Sequence, residues 1–179
     1  AKELILEIPR EQHEEIWHDT RTAHEQSPGG PLFKKYKFGK SGTYNINIAN
    51  IRYQILLRDQ LRCRCCGIYG TTLYLGRFEN ENGQQNGYNF QLFAENRSRP
   101  DDEPHLTLMT MDHVMPKSAG GDDDPSNLQC LCALCNFMKN ECGQTLEMIR
   151  RIVFLGYRIH RSTITLNKTH ESIIDLVKQ

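Results

Sequence analysis

Two Cys-x-x-Cys pairs, Cys63-Arg64-Cys65-Cys66 and Cys132-Ala133-Leu134-Cys135, constrain this chain more than any other feature. Each short loop bends two sulfurs toward one point, and a tetrahedral zinc ion takes four thiolates. A fold that joins the pairs must therefore bring two distant loops within a few ångströms of each other. Such a site leaves no open coordination position, so its task would be structural. The chain has seven cysteines, an odd number that does not fit a secreted disulfide framework. A redox Cys-x-x-Cys is the rival reading, but it leaves the second pair unexplained. Cys65, Cys130 and Cys142 are left over, and Cys65 or Cys130 could stand in for a neighbour as ligand.

The second pair closes a stretch from Asp112 to Lys139 that reads DHVMPKSAGGDDDPSNLQCLCALCNFMK. It sets a carboxylate, an imidazole, two amides and a thiol pair at spacings suited to cutting a phosphodiester. An acid beside a histidine at the end of an apolar run can offer a hard oxygen to a divalent cation and a base to a water. An isolated Asp-His pair more often caps a strand before a turn, here at Pro116. This pair is not isolated, because Asn127, Asn136 and Lys139 follow at short range. Adjacent strand residues point to opposite sides, so Asp112 can hold a cation while His113 aims at a water. A helix beginning at Cys135 turns Asn136 toward the same cation. Lys139, one turn on, reaches a phosphate oxygen or packs its stem.

Charge limits the choice of partner less than its total suggests. Lys+Arg 22 balances Asp+Glu 22, so the summed field gives no argument for a polyanion. Yet from Leu32 to Arg64 the basic residues Lys34, Lys35, Lys37, Lys40, Arg52, Arg58, Arg62 and Arg64 face a single acid, Asp59. The first thirty residues carry Glu3, Glu7, Glu11, Glu14, Glu15, Asp19 and Glu25, an acidic arm ahead of a basic stretch. Arg58, Arg62, Arg64, Lys117 and Lys139 are the candidate nucleic-acid contacts, although a solvated helix face explains such charges nearly as well. No apolar run approaches a bilayer span, and Ala1-Lys2-Glu3 before LILEI lacks the architecture of a secretory signal. The expectation is a cytoplasmic, reducing location with no membrane partner.

Hydrophobic periodicity and turn residues give an α+β order. LILEI reads as a short extended piece, then a helix starts near Pro9 and runs to about Glu25, with Ile16 and Trp17 available for packing. SPGGP at Ser27 to Pro31 breaks the chain, and Gly39 to Gly42 turns it. An amphipathic helix is expected from about Ala49 to Leu61, leading straight into the first thiol pair. From Ile68 to His105, aromatic runs alternate with amide-rich turns, which predicts a β-hairpin with Asn82-Gly83 or Asn86-Gly87 in the connection. LTLMTM is a strand ending at Asp112, Leu128 to Leu131 return as a second strand, and Ala133 to Glu141 begins a helix. Thr145 could cap a further helix to Leu155, followed by a strand in YRIHRSTITL and a last helix capped by Thr169.

The residues assembled so far resemble those of the HNH endonucleases, the ββα-metal fold, in their zinc-stapled form. The likeness covers ILLRDQLRCRCCG at Ile55 to Gly67 and the whole stretch from Asp112 to Lys139, which is similar to the family's DH…P…GG…NL…LCxxCNxxK pattern. The family's final histidine is Asn136 here, which still offers a metal-binding oxygen. The resemblance implies an α+β fold with a ββα-metal core and a four-cysteine zinc site at Cys63, Cys66, Cys132 and Cys135. Around it would lie an N-terminal helical arm with the basic segment (1–48), a nuclease core (49–143) holding an inserted hairpin (68–105), and a C-terminal helix-strand-helix extension (144–179).

By the same resemblance, His113 is the general base, Asp112 and Asn136 hold the catalytic ion, and Asn127 orients His113 by pinning the loop backbone. The implied cofactors are Mg²⁺ or Mn²⁺ for chemistry and Zn²⁺ for structure, the latter worth ~10–16 kcal/mol of apparent binding energy in small modules. The implied partner is DNA, expected to be double-stranded, and a homodimer is one way to cut both strands. Two other functions compete with a metal-dependent endonuclease. A non-catalytic zinc-stapled nucleic-acid-binding module needs the thiols but not Asp112, His113, Asn127 and Asn136 together. A thiol redox protein is the more distant third.

Overall fold

The computed structural model describes residues 3–151 apart from 28–29, 41, 80–84, 97–104 and 141–144. The strand expected in YRIHRSTITL, the last helix and Cys142 lie outside these residues. Among those described, the order is β1 (Glu3–Glu7), α1 (Arg10–Gln26), β2 (Phe33–Lys37), β3 (Thr43–Asn47), α2 (Ile51–Arg58), β4 (Gly70–Glu79), β5 (Gln85–Asn96), β6 (His105–His113), β7 (Leu128–Cys132) and α3 (Ala133–Asn140). The result is the expected mixed α+β architecture. Among the described residues no helix is long and apolar enough to cross a membrane.

The β4–β5 hairpin supplies the centre of the fold. Its antiparallel register sets Leu73 opposite Leu92 and Leu75 opposite Phe90, so one face of the ribbon is continuously apolar and wholly buried. β1 adds to the outer edge of β4, while β3, already paired with β2, meets β5 in a parallel bridge at Ile46 and Tyr88. Asn86-Gly87 lies within β5, where Gly87 pairs with Phe78, rather than in the hairpin connection. Asn82-Gly83 falls in 80–84, outside the described residues.

Two helices cover the apolar face. α1 buries Ile16, Trp17, Thr20 and Ala23, and α2 buries Tyr53, Ile55 and Leu56. Trp17 meets Tyr53 edge-on with ring centroids 6.3 Å apart, and the Tyr53 hydroxyl accepts the Phe90 backbone N–H at 2.8 Å. That bond satisfies a phenol buried on every side. The acidic arm and the basic stretch meet in the fold, since Lys34 Nζ stands 2.5 Å from Asp19 Oδ2 and Tyr36 donates to the same oxygen at 2.6 Å. The Asp19 carboxylate accordingly holds the Lys34 ammonium pKa above its usual value. Part of the basic segment's charge is therefore spent internally.

β6 positions the site. Its first half, His105 to Leu108, pairs with β5, whereas its second half, Met109 to His113, pairs with β7. One strand thus continues the large sheet into a small antiparallel ribbon, and α3 packs back on both of its strands. This is the ββα unit. α2 also touches β6 and β7, so the core that anchors α1 and α2 anchors the ribbon as well. Past α3, Thr145 Oγ1 accepts the Met148 N–H at 3.2 Å, capping a helical segment over 146–151 that inserts Ile149 into the core.

Candidate active site and metal centre

The two thiol pairs meet as their spacing requires. Sulfurs of Cys63, Cys66, Cys132 and Cys135 all lie within 4.8 Å of one another. Cys66 Sγ and Cys132 Sγ are 3.8 Å apart. A tetrahedron with arms of about 2.3 Å has edges of about 3.8 Å, so the cluster matches the dimensions of a ZnS₄ centre. Hydrogen bonds from Cys132 and then Cys135 pull the Cys63 and Cys66 thiols down, while Cys135 is pushed up, first by Cys132. Four thiolates cannot share this volume without a cation. The leftover thiols behave otherwise: burial pushes Cys130 up to about 12 and raises Cys65, whose Sγ donates to Leu146 O at 3.6 Å. Neither replaces a neighbour in the cluster.

Gly67, with φ +78, ends the first thiol loop, and its N–H returns to Cys63 O at 2.9 Å. The chain enters that loop through Gln60 and Leu61, both at φ 57, directly after α2. Arg64 N–H then bonds Cys130 O at 2.8 Å, tying the loop to β7.

The second cluster forms at the end of β6. Asp112 is buried, and its Oδ2 accepts from Lys139 Nζ at 2.8 Å and Gln129 Nε2 at 3.1 Å. Its Oδ1 has one long contact, 3.3 Å from Asn140 Nδ2. Asn140 also donates to Asn136 Oδ1, whose own amide nitrogen donates to Thr110 Oγ1 at 3.0 Å. α3 brings Asn136 and Asn140 one turn apart onto one face. A carboxylate oxygen and an amide oxygen thus converge on a second amide, and a half-turn of the Asn140 side chain presents oxygen instead of nitrogen. Three hard donors around one point suit a small divalent cation. Lys139, only 11% exposed at its side chain, neutralises the other Asp112 oxygen and does not extend toward solvent.

His113 follows at the strand end and leads into the loop. Asn127 pins that loop: its Oδ1 accepts Met115 N–H at 2.8 Å, its Nδ2 donates to Asp122 O at 2.8 Å and Met115 O at 3.1 Å, and its carbonyl accepts Val114 N–H at 2.7 Å. The loop closes so tightly at Gly121 that a Cβ there would meet Met115 O at 1.9 Å. His113 Nε2 lies 2.8 Å from Asp123 Oδ1, and Lys117 Nζ lies 2.8 Å from Asp123 Oδ2. Lys117 and His113 hold the Asp123 carboxyl below the usual carboxylate range.

Four of the five candidate DNA-contacting side chains, those of Arg58, Arg62, Lys117 and Lys139, have partners within the protein. Arg58 pairs with Asp59 through Nε at 2.9 Å and donates to Pro125 O and Leu128 O, both at 2.6 Å, so it braces the loop of Asn127 from behind. Arg62 stacks over the Tyr69 ring at 5.0 Å, and Arg64 is exposed. Sequence reasoning missed Asp59, Asp123, Gln129 and Asn140. Asn140 was findable, because it stands four residues after Asn136 on a helix. Asp123 was not, because nothing in a run of three aspartates says which one faces the histidine.

Comparison with known proteins finds one similarity, and it covers this geometry. Residues 98–141 match the family model described as HNH endonuclease. The match spans β6, the pinned loop, β7 and α3, while Cys63 and Cys66 reach the thiol cluster from outside it. No curated protein matches the chain, and no solved structure does.

Proposed function

We propose that the HNH endonuclease domain at residues 98–141 makes this chain a metal-dependent hydrolase of DNA phosphodiester bonds. The observation that carries the reading is the convergence of Asp112, Asn136 and Asn140 beside His113 at the end of β6. Asp112, through Oδ1, and Asn136 would hold one Mg²⁺ or Mn²⁺, with Asn140 beside them. That ion would supply charge neutralisation at the phosphorane-like centre and at the departing oxygen.

The chain's own residues do the rest. Gln129 and Lys139 fix Asp112 through its Oδ2 and leave Oδ1 facing the two amides. Asn127 holds the backbone that carries His113 in place. His113 takes a proton from a water whose oxygen attacks phosphorus, the P–O3′ bond breaks, its electron pair leaves with O3′, and O3′ takes a proton from solvent. The ends are a 5′ phosphate and a 3′ hydroxyl. General-base catalysis of this kind is worth ~10²–10⁴ in rate.

Cys63, Cys66, Cys132 and Cys135 would hold a zinc ion that clamps the segment after α2 to β7 and α3, upstream of this chemistry. Thiolates persist as ligands in a reducing compartment, so we place the protein in the cytoplasm. A single centre cuts one strand, and a double-strand break needs a homodimer or a second binding event. A restriction, mobile-element or phage role suits a small enzyme of this kind. A non-catalytic zinc module would leave the buried Asp112 cluster without a task.

Nicking of supercoiled plasmid with Mg²⁺ or Mn²⁺, with a chelator control, tests the reading. Cleavage should require the ion, leave ligatable 5′ phosphates and vanish in His113→Ala while zinc content and folding persist. Near-normal cutting by His113→Ala would remove that residue from the mechanism.

A further inference from the structure

We propose that Asp123 is a positioning residue for the base, accepting a hydrogen bond from His113 Nε2–H so that Nδ1 is the nitrogen that takes the proton from water; this rests on the nuclease reading. Three aspartates follow Gly121, and their side chains do different work. Asp122 Oδ1 accepts Asp124 N–H at 3.2 Å, and Asp124 Oδ1 accepts from Ser126 N and Oγ at 2.8 and 2.6 Å, capping the turn Pro125–Asn127. Both serve the loop's own backbone. Asp123 alone faces the histidine, with Oδ1 on Nε2 at 2.8 Å and Oδ2 on Lys117 Nζ at 2.8 Å.

An imidazole acts as a base through one nitrogen only when the other carries the proton. A carboxylate on Nε2 selects that tautomer, because an unprotonated Nε2 would set a lone pair against the anion. Among the described residues Nδ1 has no protein partner, which leaves it for a water. During attack the proton of that water passes to Nδ1, the water oxygen bonds phosphorus as the P–O3′ bond breaks, and the proton stays on Nε2, hydrogen-bonded to Asp123, whose negative charge offsets the imidazolium that forms. Lys117 fixes the carboxylate from the far side. The pairing is solvent-exposed, with Asp123 at 69% and Lys117 at 60%, and exposed ion pairs contribute little to folding. Its consequence is orientation of a ring, not stability of the chain.

A loop carboxylate beside a phosphate site also repels DNA. Asp123→Ala should therefore move the two kinetic constants in opposite senses of usefulness: kcat falls at least tenfold while KM for DNA stays level or falls. Asp123→Glu should recover part of kcat. Asp122→Asn removes a charge from the same loop while its amide oxygen still accepts the Asp124 N–H, and it should leave kcat unchanged. Undiminished or increased kcat in Asp123→Ala overturns the proposal and makes Asp123 instead a latch that the phosphate must displace. Long-range ¹H–¹⁵N spectra of the full-length protein read the tautomer without any cleavage. A proton on Nε2 of His113 in the wild type, exchanging faster in Asp123→Ala, is the expected result, and a proton on Nδ1 overturns the idea. If the wild-type protein cuts no DNA, the nuclease reading fails by itself and the tautomer still reports what Asp123 does to the ring.

Discussion

The carboxylate of Asp59 accepts the backbone N–H of Cys130 at 2.8 Å, joining the turn after α2 to the middle of β7. Asp59 is almost wholly buried, and Arg58 beside it grips both of its oxygens while donating to Pro125 O and Leu128 O. The Arg-Asp dipeptide is thus a bracket between the helix that precedes the first thiol pair and the strand that precedes the second.

Asp59→Ala should be strongly felt. It strands the buried Cys130 N–H and frees Arg58, and an unmade buried hydrogen bond costs about 1–3 kcal/mol. A shift of the urea midpoint by that equivalent, with unchanged slope, is expected. A midpoint within error of wild type would mean that the bracket holds nothing together.

The thiol cluster should dominate local folding. Cys132→Ser leaves three thiolates around a site built for four, so zinc stoichiometry measured by elemental analysis should fall below one and the melting temperature should drop sharply. Exhaustive chelation of the wild type should reproduce the same loss. Cys65→Ser should keep its zinc, because the Cys65 thiol is held protonated outside the cluster.

Gly121→Ala should disable the loop while sparing the core. The added methyl would stand 1.9 Å from Met115 O and 2.9 Å from Asn127 Nδ2, and a backbone atom cannot retreat without dragging Met115 and its neighbours. DNA nicking should fall at least tenfold, with far-ultraviolet circular dichroism and zinc content retained. Full activity would show that the loop geometry is not what aims His113.

Asn140→Ala should weaken the divalent ion rather than the fold. Asn140 is exposed at the end of α3, yet its amide touches both Asp112 and Asn136. Losing such a neighbour of a metal ligand costs about tenfold in affinity. Titration of nicking with Mg²⁺ should shift by that factor, and binding of Mn²⁺ to the protein alone should follow. An unshifted titration would leave Asn140 as a helix-end residue only.

The chemistry-bearing residues were legible because they are local. A thiol pair, an Asp-His dipeptide at a strand end and an amide on the first turn of a helix are set by spacings of one to four residues, which backbone geometry translates directly into direction. The apolar periodicity likewise indicated α1, α2 and the β4–β5 hairpin, though Asn86-Gly87 was absorbed into β5 because the strand gained more ladder bonds by continuing through it. Charge was the least legible. Lys34, Arg52 and Arg58 belong to a locally cationic stretch that suits a polyanion or a solvated face, and each finds a partner that is remote in sequence, in Asp19, Phe90 O and Pro125 O.

What the amino-acid order determined alone was the inventory: four thiols able to hold one ion, an acid and a base side by side, and two amides on one helix face. Which aspartate faces His113, which cation neutralises Asp112 and which arginine braces the loop were decided only when β6 left the large sheet and paired with β7. Those contacts join residues through space at distances of about 3 Å, and sequence separation carries no information about them.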